Sequence, residues 1–193
     1  SIREFPLAQS DISDRFQIQQ KLFGREKDAA SLLAAFERVR NGAPQFVLVS
    51  GSAGMGKSSL VNELQLPVTQ QNGYFISGRF DPSRTETPYS ALIDALRSLI
   101  QKLLAESEEN LSVWRKTIQD AVGVNGQIIL DMIPEAALVL GPQPPLPSLS
   151  TGEEQNRFSL TLQTFMESLP TAEHPLVLFL DDLQWADAAS SAF

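Results

Sequence analysis

The chain has 193 residues, enough for one domain with its own core, and 42% apolar against 20% charged residues is ordinary for a globular protein. Its 23 acidic and 15 basic side chains leave a net charge of −8, which argues against a broad nucleic-acid-binding face. Cysteine is absent and histidine occurs once, at His174, so disulfides, thiolate metal sites, a cysteine nucleophile and a multi-histidine metal centre are excluded.

No apolar run reaches the roughly 18 residues of a membrane span and no signal peptide opens the chain, which predicts a cytoplasmic protein without a membrane segment. The chain opens on Ser1 and closes on SSAF, where a helical pattern starts, so it is expected to be a piece of something longer. Residues 1–22 have scattered apolar positions without a steady period and read as a linker. Leu32, Leu33, Phe36 and Val39 then recur at helical spacing until Asn41-Gly42 stops the helix. Gln45 to Ser50 reads as a short apolar strand running into a glycine-rich turn. Ser58 to Leu66 reads as helix, limited by Pro67. Tyr74 to Phe80 is a second strand after an Asn-Gly turn.

A long helical region follows. Pro88 marks a helix start, and Leu92, Leu96, Leu99 and Leu103 share one face. ENLSVWRKTIQDAVG is a second helix, NGQIILDMI a short third, GPQPPLPSLSTG an irregular loop and EEQNRFSLTLQTFMESL a further helix. Leu176 to Leu180 is the third strand, with carboxylates at its end. Short apolar strands separated by helices predict an α/β fold with a mainly parallel sheet covered on both faces.

The chemistry sits at two places. GSAGMGKSSL, Gly51 to Leu60, contains Gly51-x-x-x-x-Gly56-Lys57-Ser58, the Walker A pattern, between a predicted strand and a predicted helix. Its glycines leave room for backbone N–H groups to turn inward around phosphates, so Gly51, Ser52, Ala53, Gly54, Met55 and Gly56 form the cradle. The following helix aims its positive end at the same oxygens. Lys57 reaches the β- and γ-phosphates, the Ser58 hydroxyl suits Mg²⁺, and Ser59 lies near the α-phosphate. The second place is LVLFLDDLQ, a strand ending in aspartate downstream of Walker A, the Walker B arrangement. Asp181 is the candidate Mg²⁺ carboxylate. Asp182 stands where a catalytic carboxylate polarises the attacking water, or is a strand-end acid supporting its neighbours. An aspartate is one methylene shorter than the glutamate many such ATPases use, which suits slow turnover.

FGRE, GSAGMGKSSLVNEL, NGYFISGRFD, PYSAL and HPLVLFLDDLQWAD, with the leading SIREFPLAQSDISDRFQI, together resemble the STAND class of AAA-like signalling ATPases. The likeness is greatest to the ATPase module of large bacterial, cyanobacterial-type, multidomain serine/threonine and sensor histidine kinases, and it covers nearly the whole chain. The resemblance implies a P-loop NTPase three-layer αβα core with a helical insertion, truncated after the Walker B strand. Residues 23–193 would be the N-terminal part of that ATPase domain. It implies ATP or ADP with Mg²⁺ as ligands, slow turnover, and nucleotide state coupled to self-association or to other domains of a longer chain. It places Arg25, in Gly24-Arg25-Glu26, near the adenine, and gives Trp185 and Asp187 positioning roles beside Walker B. Relatives carry a sensor strand between the Walker A and Walker B strands. That strand lies beyond Phe193, so strands 46–49 and 176–180 are expected to lack their shared neighbour. Weak binding, little hydrolysis by this chain alone and exposed strand edges follow.

Arg79 and Arg84 are candidates for an arginine finger, with surface charge as the plainer reading. His174 reads as a turn residue, and Pro142 to Pro147 as a surface connector. A protein kinase catalytic domain is excluded, because neither a G-x-G-x-x-G loop nor an H-R-D loop is present. Two alternatives to the signalling switch stay open: an AAA-like DNA-handling ATPase, against which the charge leans, and a nucleotide-binding scaffold without turnover.

Overall fold

A computed structural model describes residues 24–84 and 87–192; the linker reading of residues 1–22 lies outside them. Two strands form, β1 (Tyr74–Arg79) and β2 (Leu176–Asp181), and they pair in parallel with Tyr74 opposite Leu176 and Arg79 opposite Asp181. Nine α-helices are described: α1 (Glu26–Arg40), α2 (Lys57–Asn62), α3 (Gln65–Gln70), α4 (Ser90–Leu103), α5 (Glu108–Val122), α6 (Gly126–Met132), α7 (Ala137–Leu140), α8 (Thr151–Ser168) and α9 (Ala188–Ala192).

The pleat of β1 sorts its side chains to two cores. Phe75 faces Leu32 and Phe36 of α1, Leu60 and Val61 of α2 and Val68 of α3, with Val177 and Phe179 of β2 beside it. Tyr74 and Ile76 face the opposite way, into a larger core built from α4 to α8. Helices therefore cover both faces of the ladder, as its unbroken apolar runs require. The leucine face of α4 behaves as predicted: Leu92, Leu96, Leu99 and Leu103 are all buried. Gly78 lies on this side, where the α4 backbone at Ala91 comes close enough that a Cβ would meet the Ala91 carbonyl. Local signals set the helix ends. Ser107 accepts from the Asn110 N–H at the start of α5, and the Ser150 N–H donates to the Glu153 carboxylate at the start of α8.

Two expectations are corrected. The segment 45–50 forms no strand, because no described residue pairs with its backbone. Phe46 is 91% exposed and Leu48 65% exposed, while Val49 alone packs on the smaller core. A groove of about 510 Å³ runs between this segment and β2, so the two are not neighbours in a ladder. Second, Pro67 does not end a helix. The chain turns at Glu63-Leu64, and Pro67 occupies the first turn of α3, where an N–H has no helical acceptor to lose. Ala137–Leu140, a stretch to which the sequence reading assigned no element, forms a short helix.

Candidate functional site

The loop from Gly51 to Gly56 is irregular, exposed as far as Met55 and half-buried at Gly56. Gly54 and Gly56 take left-handed backbones, φ 78° and 74°, which a side chain would strain. A Cβ at Gly54 would enter open space, so its glycine serves the conformation and the concavity rather than a close contact. Gly56 is the residue preceding α2. With only six residues, α2 carries a small macrodipole. The anion-binding capacity rests on the first-turn N–H groups of Lys57, Ser58 and Ser59, which have no helical acceptor.

The Lys57 ammonium folds back over the loop and donates to the carbonyl oxygens of Gly51, at 2.9 Å, and Ser52, at 3.1 Å. Among the described residues no carboxylate pairs with it. A cation held only by carbonyls, beside a glycine-rich loop, fits an anionic ligand. The Ser58 hydroxyl donates to Asp181 Oδ2 at 2.7 Å, across the interval from α2 to the end of β2. Asp181 Oδ1 accepts the Asp182 N–H at 3.0 Å, which fixes the carboxylate plane. One hydroxyl and one carboxylate side by side could hold a Mg²⁺ that completes its shell with phosphate oxygens and water. Among the described residues no group of three or more His, Asp or Glu side chains converges on a metal position.

The AAA ATPase domain profile matches residues 21–193, nearly the whole chain. The chain belongs to the AAA ATPase domain family. AAA ATPase domains bind nucleotide with Mg²⁺ and have a P-loop α/β fold, in keeping with the parallel ladder and the helix-flanked loop. The chain is also 35% identical over 189 residues to the "Hybrid signal transduction histidine kinase G" of Dictyostelium discoideum. That match covers 98% of this chain and 5% of the relative, so the AAA domain spans a small part of that protein's length. No solved structure matches. No helix among the described residues is long and apolar enough to cross a membrane.

The fold of the AAA domain brings Lys57, Ser58, Asp181 and Asp182 to one end of the ladder. Asp182 has a left-handed backbone, φ 56° and ψ 45°. Its Oδ1 accepts from the Gln184 amide at 3.0 Å and its Oδ2 from Arg79 at 2.7 Å. Hydrogen bonds from Gln184 and then Arg79 hold its carboxyl below the usual aspartate value, so it is an anion at neutral pH. Sequence reasoning weighed Arg79 as a finger or a surface charge and missed this partner. Only the parallel register, which sets Arg79 opposite Asp181, brings it to the Asp182 carboxylate. Arg84 instead pairs with Asp94 at 2.6 Å.

Arg25 stands at the N-terminus of α1, and among the described residues no hydrogen bond or ion pair joins it to the loop. Trp185 lies in a short 3₁₀ turn, Leu183–Trp185, and is 45% exposed. Asp187 is buried. Burial pushes its carboxyl up, but bonds from the Ser190 hydroxyl, at 2.6 Å, the Ser190 N–H and the Tyr89 N–H outweigh that and hold it low. It thereby caps α9 and ties the segment after β2 to the start of α4. His174 Nδ1 lies 2.9 Å from the Asn72 carbonyl and its ring sits against Tyr74 and Trp114, which makes it a turn residue.

Proposed function

We propose that this chain is the nucleotide-binding part of an ATP-dependent signalling switch of the STAND type, with slow hydrolysis, within a longer multidomain signal-transduction protein. The observation that carries the reading is the conjunction at one sheet end: Lys57 held only by loop carbonyls, and the Ser58 hydroxyl on the Asp181 carboxylate. The signalling role rests on the likeness to a histidine kinase of signal transduction. In this reading residues 23–193 form the ATPase domain, with helices on both faces of the sheet making a three-layer core, and residues 1–22 are a linker within a longer cytoplasmic chain.

Lys57 exchanges its two loop carbonyls for β- and γ-phosphate oxygens of ATP, or for the β-phosphate of ADP. The amides from Ser52 to Ser59 surround those oxygens, and Arg25 approaches the adenine. Ser58 and Asp181 would hold Mg²⁺, which neutralises charge on the phosphates. Asp182 orients the attacking water and accepts its proton. Both Asp182 oxygens already take hydrogen bonds, which accords with slow turnover and also favours a second reading, a scaffold that binds nucleotide without hydrolysing it.

The switch reading predicts that the full chain associates differently with Mg·ATP than with Mg·ADP. Light scattering across a concentration series checks this. A larger mass with one nucleotide supports the switch, and identical masses and identical hydrogen-exchange patterns with both nucleotides contradict it.

A further inference from the structure

A cleft of about 530 Å³ opens between the start of α4, α6 and α8, and no residue of the phosphate loop lines it. Its walls are apolar: Ile93 of α4, Ile128 and Met132 of α6 and Phe158 of α8. Tyr89, the residue before α4, adds its ring, whose centroid lies 5.3 Å from that of Phe158. Tyr89 has a left-handed backbone, φ 58° and ψ 19°, an outlier for a bulky residue that persists only where the surroundings hold it. The ring contact with Phe158 and the bond from the Tyr89 N–H to the buried Asp187 carboxylate do so. The aromatic wall is thus set in place before any ligand arrives.

The rim carries charge. Asp131 and Glu154 line the cleft, and among the described residues neither pairs with a cation. Asp131 accepts from the uncharged Gln127 amide at 2.7 Å, which leaves its charge in place. Arg157 also lines the cleft, but its Nη1 donates to the Pro147 carbonyl at 2.8 Å, and its Nε is buried without an acceptor, out of a ligand's reach. Two unpaired carboxylates beside two neighbouring rings favour an organic cation, because ring faces, like carboxylates, are negative. A cleft of this size takes a small molecule. We propose that it is a second ligand site, for a small organic ammonium ion. The apolar body of the ion packs against Tyr89 and Phe158, and its charge lies at Asp131 and Glu154.

The test is calorimetric titration of tryptamine and phenethylamine into the full chain at neutral pH, without nucleotide. Indolepropionate, with the rings of tryptamine and the opposite charge, is titrated beside them. The expected result is saturable one-to-one binding of at least one amine and none of indolepropionate. In Asp131→Asn/Glu154→Gln the amine binds about three- to thirtyfold more weakly. Both carboxylates belong to exposed residues, so the double variant keeps the fold. Phe158→Leu stays apolar but loses the ring face, and lowers amine affinity about two- to tenfold. Amine affinity equal in parent and double variant, or equal for the amines and indolepropionate, overturns the ammonium site. No saturable binding of either amine to the folded chain overturns the cleft as a ligand site.

Discussion

Replacing Asp182 by asparagine lowers ATP turnover by the full chain by roughly 10²- to 10⁴-fold, the usual worth of a positioned general base. The change keeps the size and the polar character of the side chain and removes the proton acceptor. The left-handed backbone at this position is tolerated by asparagine as readily as by aspartate, so the turn to Leu183 persists. Nucleotide affinity stays close to the parent value, because the groups placed to hold phosphates are Lys57, Ser58 and the loop amides, not Asp182. A rapid-quench measurement of bound ATP converted to ADP separates the two quantities. Equal, measurable turnover in parent and variant removes Asp182 from the chemistry, and no turnover in either assigns the protein to the scaffold reading.

A methyl group at position 78 destabilises the protein by several kcal/mol. Overpacking a well-filled core costs about 1–3 kcal/mol, and more where backbone has to move. Gly78 is such a place: an added Cβ meets the Ala91 carbonyl, which belongs to the helix backbone and cannot rotate away as a side chain would. The strand must then retreat from α4, which also shifts Arg79 and the facing Asp181. A typical domain has only about 5–15 kcal/mol in hand, so the urea midpoint of Gly78→Ala falls far below the parent's. Ser77→Ala, at the exposed neighbouring position, stays within about 0.5 kcal/mol.

The contrast between these neighbours indicates what was legible beforehand. Helix α5, from Glu108 to its stop at Gly123, and the buried face of α4 follow from apolar spacing and local end signals, and both were readable. So were β1 and β2, whose apolar runs are bounded by turns and charge. The segment 45–50 has an apolar run like that of β2 but no ladder, because a strand is defined by its neighbour and neighbours are not written locally. Pro67 misled for a related reason: proline stops a helix from within but suits its first turn, and the turn at Glu63-Leu64 leaves no mark in composition. In the site, the residue types and spacing of Lys57, Ser58 and Asp181 were readable from the motifs. The hold of Arg79 on Asp182 was not, since it joins residues 103 apart and depends on the parallel register that places Arg79 beside Asp181.

Calorimetric titration of ATP into the protein and into Lys57→Ala, with and without Mg²⁺, tests the phosphate site most directly. Lys57 is the one side chain of the loop whose charge the ligand must meet, and a charge-assisted hydrogen bond is worth roughly 1.5–3 kcal/mol. The predicted result is Mg²⁺-dependent binding to the parent, weakened about ten- to hundredfold in Lys57→Ala. Equal affinity in the two proteins, or no binding to a folded parent, would contradict a phosphate site at this loop.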